Sequence, residues 1–381
     1  MSQSADIRYP FLDLTEVNRR YAEEMKRAVC QVIDRGPYIG GEIVREFEGQ
    51  LGERLGAEVI GVSNGLDALR LCLEGYKILG KLAEGDGVIV PANTYIASVL
   101  AISQAGLRPV LVDPDPQTMN LSAAGIECGL RQGAKAVMPV HLYGRVAWDE
   151  DIAELVKRNN LIVIEDCAQA IGAQSSVDGL FGSHQAGALG HCGAISFYPT
   201  KNLGALGDAG AVVTHDQELA SAVRALANYG STRRYHNEYI GFNCRLDPIQ
   251  AAMLTAKLPD LDNANSRRIE KARIYDSDIE SPLIHKPLIP EGDRECVWHQ
   301  YVVSLEPDRR DWFREYMMSS GVQTDIHYPT PPHLQPCYAG LTHEPLPISE
   351  RLSQSIVSLP IGDSTSADDV RAICRIINDF K

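Results

Sequence analysis

Short runs of apolar residues alternate with helix-like segments through the first half of the chain, and few folds accommodate that pattern. Val88–Val90, Val110–Val112 and Leu161–Ile164 are apolar at every position. Strands of this kind are buried on both faces, and they are typical of parallel sheets with helices on each side. The sequence therefore predicts an α/β fold with a mostly parallel central sheet.

A change in the pattern after about residue 245 predicts a second domain. A long helical segment there is followed by Pro282, Pro287 and Pro290, and then by a short strand and further helices. A chain of 381 residues is also long enough to bury two cores. We expect a large α/β domain over residues 1–245 and a smaller C-terminal α+β domain over residues 246–381.

Charge and composition narrow the range of partners. The net charge of −14 makes nucleic acids and anionic membranes poor candidates. The nine cysteines include no Cys-x-x-Cys pair, which fits reduced thiols. The first residues are polar, and no apolar run approaches the length of a membrane span. We therefore expect a cytoplasmic protein.

One lysine, Lys201, stands between an apolar strand-like run, Ala194–Phe197, and a glycine-rich loop. Lysine is rarely buried without a reason. In a water-poor pocket its amine loses its charge and becomes a nucleophile toward carbonyl groups. Lys201 is therefore the candidate for a covalent bond to a carbonyl compound.

Three further motifs lie where predicted strands end or helices begin, the edge at which open α/β sheets bind ligands. Residues 64–67 (Asn-Gly-Leu-Asp) open a helix and suit a phosphate, although a plain tight turn also explains them. Tyr95 would stack on a flat ring or pack in the core. Asp166, followed by Gln169, would pair with a cationic ring nitrogen or cap a helix. Their order along the sheet favours one shared site with Lys201.

Five segments of the chain together form a family pattern. They are Asn64-Gly65-x-x-Ala68-Leu69, Pro91-x-x-Thr94-Tyr95-x-Ala97-Ser98, Glu165-Asp166-x-Ala168-Gln169, Ser196-Phe197-x-Pro199-x-Lys201-Asn202-Leu203-Gly204 and Gly241-Phe242-Asn243-x-Arg245. In these segments the chain resembles the DegT/DnrJ/EryC1/StrS family of pyridoxal-phosphate-dependent nucleotide-sugar aminotransferases. The resemblance covers almost the whole chain, and it implies the aspartate aminotransferase fold (fold type I).

The resemblance also implies roles for the residues of a pyridoxal-phosphate site. Lys201 would form the Schiff base and act as the catalytic residue, Asp166 would pair with the ring nitrogen, and Gln169 would contact the ring hydroxyl. Tyr95 would stack on the ring. The phosphate would be bound by Gly65, Leu66 and Ser196, and by Asn243 of the neighbouring subunit in an obligatory homodimer. Family members often carry threonine at position 66, and the leucine here leaves only a backbone N–H for the phosphate.

The implied reaction is ping-pong transamination with glutamate as the amino donor. The segment Lys201–Asp208 resembles the family members that aminate C-3 of the hexose. We therefore expect a dTDP-3-keto-6-deoxyhexose to become a dTDP-3-amino-3,6-dideoxyhexose. The candidate substrate contacts are Arg233, Arg234, Tyr235, His327 and Tyr328, although exposure to solvent alone also explains arginines on a polar loop.

Three other functions stay open at this point. One is amination at C-4 of a nucleotide sugar, and another is a dehydratase of the same family, although relatives of that type replace the lysine. The third is a non-catalytic binding or regulatory protein on the same fold. No metal is expected, because His184, His191 and Cys192 lack the spacing of a zinc site.

Overall fold

The computed structural model describes residues 7–341 and 345–381. At its centre is a sheet of seven strands: β1 (Glu58–Val62), β2 (Gly87–Pro91), β3 (Arg108–Val112), β4 (Ala134–Val137), β5 (Ile162–Asp166), β6 (Cys192–Ser196) and β7 (Gly210–Thr214). Across the sheet they follow the order β1-β7-β6-β5-β4-β2-β3. β7 is antiparallel to both neighbours, and the remaining pairs are parallel. The predicted α/β fold with a mostly parallel sheet is confirmed.

Thirteen α-helices occur in the described part of the chain. They are α1 (Leu14–Arg19), α2 (Ala22–Arg35), α3 (Glu42–Leu55), α4 (Gly65–Ile78), α5 (Ile96–Gln104), α6 (Ala123–Arg131), α7 (Glu150–Asn159), α8 (Gln217–Ala227), α9 (Pro248–Lys257), α10 (Leu261–Asp278), α11 (Pro307–Ser319), α12 (Pro347–Ser355) and α13 (Ala367–Asn378). None of them combines the length and the apolarity that crossing a bilayer requires.

Both faces of the central sheet are buried, as the uninterrupted apolar strands predict. Val88 and Val90 of β2 join a core with α4, α5 and α8, whereas Ile89 between them joins a core with α6 and α7. Successive side chains of a strand point to opposite faces, so a strand in this position is apolar throughout. The sheet is thus held rigidly between two helical layers, and its strand ends provide a fixed edge.

A separate core lies toward the C-terminus. Strands β10 (Tyr301–Ser304) and β11 (Ile356–Leu359) pair antiparallel, and α10, α11 and α13 pack around them. Two further short strands, β8 (Ser231–Arg233) and β9 (His236–Asn237), form a hairpin between α8 and α9. The C-terminal region therefore combines helices with a small antiparallel sheet.

The domain boundary between residues 245 and 246 stays a prediction. Helix α9 follows it directly, and Met253 and Leu254 of that helix pack in one core with Phe47 of α3. Ala272, in the second half of α10, is the first buried residue beyond α9 to join the C-terminal core. We therefore favour a boundary within α10.

Candidate active site

A cavity of about 440 Å³ opens where β5 and β6 end and α4 begins. Nine of the residues singled out from the sequence line it: Gly65, Leu66, Tyr95, Asp166, Gln169, Ser196, Lys201, His327 and Tyr328. His327 and Tyr328 come from the C-terminal region, and the others come from the sheet region. The structure therefore brings together residues that are more than 260 positions apart in the chain, and their individual roles stay predictions.

Asp166 is the last residue of β5, and it is only 7% exposed. The Ser98 hydroxyl donates a hydrogen bond to its Oδ2 at 2.7 Å, and the backbone N–H of Ala168 donates to its Oδ1 at 3.1 Å. The whole connection from β5 to β6 is described and contains no α-helix, so the alternative that Asp166 caps a helix is wrong. A buried carboxylate with only neutral hydrogen-bond donors favours a cationic partner in the cavity.

Lys201 follows β6 in a turn, in which its backbone N–H donates to the carbonyl of Tyr198 at 2.8 Å. Burial lowers the pKa of Lys201 to about 8, and the negative charge of Asp166 opposes part of that shift. At pH 7 about a tenth of such amines are neutral, compared with well under a thousandth for an ordinary lysine. Lys201 is thus prepared to act as a nucleophile.

The lowered pKa leads to a prediction for the cofactor-free protein. The reaction of Lys201 with trinitrobenzenesulfonate should accelerate as the pH rises and level off above about pH 8. Peptide mass spectrometry measures the rate at each lysine. The internal control is Lys26, which is exposed and whose pKa is raised by Glu23, so that its rate should still be rising at pH 10. Parallel profiles for the two lysines would contradict the prediction.

Gln169 connects Tyr328 of the cavity wall to the backbone of Tyr143. Its side-chain oxygen accepts the backbone N–H of Tyr143 at 2.6 Å, and its amide nitrogen donates to the Tyr328 hydroxyl at 3.0 Å. The rings of Tyr328 and Tyr95 lie 5.0 Å apart. Gln169 keeps one free N–H, so its predicted contact with a ring hydroxyl stays compatible with these bonds.

Gly65 and Ser196 lie unusually close together at the start of α4. A Cβ at position 65 would lie 2.7 Å from the Cβ of Ser196, so a larger residue does not fit there. The first N–H groups of a helix lack partners within the helix, and they favour an anion. The N-terminus of α4 and the Ser196 hydroxyl therefore form a cradle that suits a phosphate, whereas Leu66 contributes an apolar side chain to the cavity wall.

Two polar residues of the cavity were not singled out from the sequence. His299 and Gln300 line the cavity and directly precede β10. The only sequence signal is a polar pair at the start of a strand-like run, which is too common to indicate a site. His327 is oriented by the Ser358 hydroxyl, 2.9 Å from its Nδ1, and by a hydrogen bond from the Tyr143 hydroxyl to its carbonyl oxygen.

Four predicted residues lie outside the cavity of their own chain. Arg233, Arg234 and Tyr235 belong to the β8–β9 hairpin and are exposed, with Tyr235 at 88%. Asn243 is exposed as well. Among the described residues, no group of three or more His, Cys, Asp or Glu side chains is arranged to bind a metal.

Comparison with known proteins identifies the family. The model of the DegT/DnrJ/EryC1/StrS aminotransferase family matches residues 19–378. The chain is 45% identical over 372 residues (97% of this chain and 99% of the relative) to the dTDP-3-amino-3,6-dideoxy-alpha-D-galactopyranose transaminase of Aneurinibacillus thermoaerophilus. It is 41% identical over 367 residues (95% and 93%) to the dTDP-3-amino-3,4,6-trideoxy-alpha-D-glucose transaminase of Streptomyces venezuelae.

A solved structure agrees with this assignment. The crystal structure of S. venezuelae DesV in complex with a ketimine intermediate superposes with a TM-score of 0.90 at 39% identity, and the match covers 98% of each chain. The predicted fold and the predicted cofactor are both confirmed. The chain belongs to the DegT/DnrJ/EryC1/StrS aminotransferase family, and it is a pyridoxal-phosphate-dependent aminotransferase.

Proposed function

We propose that this aminotransferase moves the amino group of glutamate to C-3 of a dTDP-3-keto-6-deoxyhexose and so produces a dTDP-3-amino-3,6-dideoxyhexose. The observation that carries the proposal is that Lys201 and Asp166 line the same cavity. The chain that contains them is similar over nearly its whole length to a transaminase named for such a sugar. The second relative is also named for a 3-amino sugar. The segment Lys201–Asp208 also resembles that of family members that aminate C-3.

The residues of the cavity fit pyridoxal phosphate at both ends. Asp166 offers a buried carboxylate for the ring nitrogen, and Lys201 offers an amine of lowered pKa. At the other end, the N-terminus of α4 and Ser196 offer donors for the phosphate, and Gly65 leaves space that a Cβ would fill. This match of donors and acceptors supports the predicted roles of these residues.

When it is bound, pyridoxal phosphate supplies an electron-withdrawing ring that acidifies the α-carbon of the amino donor. Lys201 would hold the cofactor and, once displaced, would take the proton from that carbon and deliver it to C4′ of the cofactor. The carboxylate of Asp166 would pair with the ring nitrogen and stabilise its protonated form. Tyr95 and Tyr328 lie side by side in the cavity wall.

The charges of the substrates support a homodimer. A sugar nucleotide carries a diphosphate and glutamate carries two carboxylates, but Lys201 is the only lysine or arginine among the described residues that line the cavity. Further cations must therefore come from outside this wall. Arg233, Arg234 and Asn243 are exposed, and we infer that they enter the cavity of a second copy of the chain.

The substrate proposal is tested by locating the new amine. The purified enzyme is incubated with glutamate and either the 3-keto or the 4-keto isomer of the dTDP-6-deoxyhexose, and the product is analysed by NMR. We expect an amine at C-3 with the 3-keto sugar. Amination at C-4 would favour the alternative regiochemistry, and the absence of product with both sugars would overturn the proposed substrate class.

The shared site is tested by mixing two inactive variants, Lys201→Ala and Asn243→Ala. If each cavity combines Lys201 of one subunit with Asn243 of the other, a mixed dimer contains one complete site and one site that lacks both residues. Refolding an equal mixture should then restore about a quarter of the wild-type activity. Each variant refolded alone is the control. A mixture no more active than the average of its components would contradict the shared site.

Substitution of Gly65 tests the phosphate cradle. Gly65→Ala should weaken the affinity for pyridoxal phosphate by about tenfold or more, because the new Cβ would displace Ser196 or the start of α4. Fluorescence titration of the cofactor-free protein measures the dissociation constant. Gly49→Ala is the matched control, since position 49 is an exposed helical site with open space around it. Equal affinities for the two variants would contradict the cradle.

A further inference from the structure

His299 is almost completely buried in the cavity wall, with 5% of its surface exposed, and none of the roles described above involves it. It shares the cavity with Lys201. A buried polar ring requires hydrogen-bond partners, so the identity of those partners indicates which ring nitrogen faces the ligand.

The orientation of a neighbouring amide, that of Asn202, is fixed by backbone carbonyls. Asn202 Nδ2 lies 3.1 Å from the carbonyl oxygen of Val297 and 2.8 Å from Asn265 Oδ1. Asn265 Nδ2 in turn donates to the carbonyl oxygen of Ile171 at 3.0 Å. Because carbonyl oxygens only accept hydrogen bonds, both amide orientations follow from the heavy-atom positions.

The fixed amide determines the tautomer of His299. Asn202 Oδ1 must accept, and it lies 3.1 Å from His299 Nδ1, so Nδ1 carries the hydrogen. Burial and the positive charges of Lys201, Arg268 and His327 hold the pKa of His299 well below its usual range. The ring is therefore neutral, and Nε2 presents a lone pair.

Nε2 of His299 forms no hydrogen bond with residues 7–341 and 345–381. Part of its surface is nevertheless accessible, since it is absent from the set of fully buried atoms without a partner. It therefore faces the open space of the cavity. The backbone at this point is also held in place, because the buried Arg268 donates to the carbonyls of Trp298 and His299, each at 3.2 Å. The lone pair is thus held in a fixed position close to Lys201.

We propose that His299 is a positioning residue for transamination, and that its Nε2 accepts a hydrogen bond from the ε-amine of Lys201 whenever that amine is not bonded to the cofactor. The bond turns the lone pair of the amine toward the donor's α-carbon. When the C–H bond there breaks, the proton goes to Lys201 and the electron pair stays with the carbon and the ring conjugated to it. His299 gains no proton, and its bond to the resulting ammonium becomes stronger.

The tautomer is tested without any turnover. Long-range ¹⁵N–¹H NMR spectra of the cofactor-free, ¹⁵N-histidine-labelled protein distinguish Nδ1–H, Nε2–H and doubly protonated rings, and the signal of His299 is assigned by its loss in His299→Gln. We expect a neutral Nδ1–H ring at pH 7. An Nε2–H or doubly protonated ring would overturn the proposal. The NMR result does not depend on the proposed function. The kinetic test depends on it only because glutamate is used as the amino donor.

The kinetic test compares two variants of matched polarity in the holoenzyme. His299→Gln carries a carbonyl that reaches the position of Nε2, whereas His299→Asn reaches only the position of Nδ1. We expect His299→Asn to lower kcat about tenfold, which corresponds to the free energy of one hydrogen bond, and to leave KM for glutamate unchanged. His299→Gln should retain most of the wild-type kcat. The isotope effect with α-deuterated glutamate should rise in His299→Asn, because proton transfer becomes slower.

A merely structural role predicts a different outcome. The two variants would then lose activity together, in parallel with their melting temperature and cofactor content, and the isotope effect would stay at the wild-type value. Either result would overturn the proposal. If the wild-type enzyme does not use glutamate either, the proposed amino donor is wrong. The NMR experiment would still decide the tautomer of His299.

Discussion

Lys201→Ala is expected to lower kcat for transamination by about 10⁴-fold or more, because in the proposed mechanism one side chain both holds the cofactor and transfers the proton. No other lysine or arginine among the described residues lines the cavity, so no neighbouring amine replaces it. Product formation under saturating glutamate measures the rate. The absorbance band of the lysine-bound cofactor, near roughly 400–430 nm, should disappear as well.

One further substitution separates the chemistry of Lys201 from its charge, and a second serves as the control. Lys201→Arg keeps a cation in the cavity but holds its proton at every accessible pH, so it should be as inactive as alanine. Lys26→Ala, at an exposed lysine, should be fully active. Retention of more than a few per cent of the rate in either Lys201 variant would contradict the assigned role.

Asp166→Asn is expected to lower kcat by about 10²- to 10³-fold, since it removes the carboxylate that we propose stabilises a protonated ring nitrogen. The side chain keeps its shape, and an asparagine oxygen still accepts the N–H of Ala168. The fold should therefore persist, which circular dichroism and the melting temperature check. Single-turnover kinetics with glutamate measure the loss.

The same substitution should shift the titration of Lys201. The charge of Asp166 raises the pKa of Lys201 and so opposes the effect of burial. Without that charge the pKa should fall below about 8, and the plateau of the trinitrobenzenesulfonate profile should begin at a lower pH. Asp178→Asn, at a side chain that is 74% exposed, is the control and should leave the profile unchanged. An upward shift in Asp166→Asn would contradict the assignment.

Local patterns predicted much of the fold and part of the site. The apolar strands β2, β3 and β5 appear where the sequence indicates them, because a strand buried on both faces allows few polar residues. Asp166, Ser196 and the start of α4 could be grouped in advance, since the ends of neighbouring parallel strands meet at one edge of a sheet. The resemblance around Lys201 then identified the cofactor and the family.

Other features depend on which distant segments pack together. Nothing near Asp166 in the sequence distinguishes a helix cap from a ligand contact, and only the irregular connection after β5 excludes the helix cap. The helix α9 could be assigned to the C-terminal domain by its position in the chain, yet its side chains pack with α3. Arg233 and Arg234 look like substrate contacts in the sequence, but they lie outside the cavity of their own chain.

The sequence by itself therefore determined the α/β class, the strand-end motifs and the lysine with its acid partner, because periodicity and short motifs record local burial and local chemistry. The tertiary structure alone decided that His299 and Gln300 line the cavity and that Asn202 lies within hydrogen-bonding distance of His299. The physical reason is distance along the chain. These contacts join residues about a hundred positions apart, and packing of the whole molecule, not local propensity, brings them within hydrogen-bonding range.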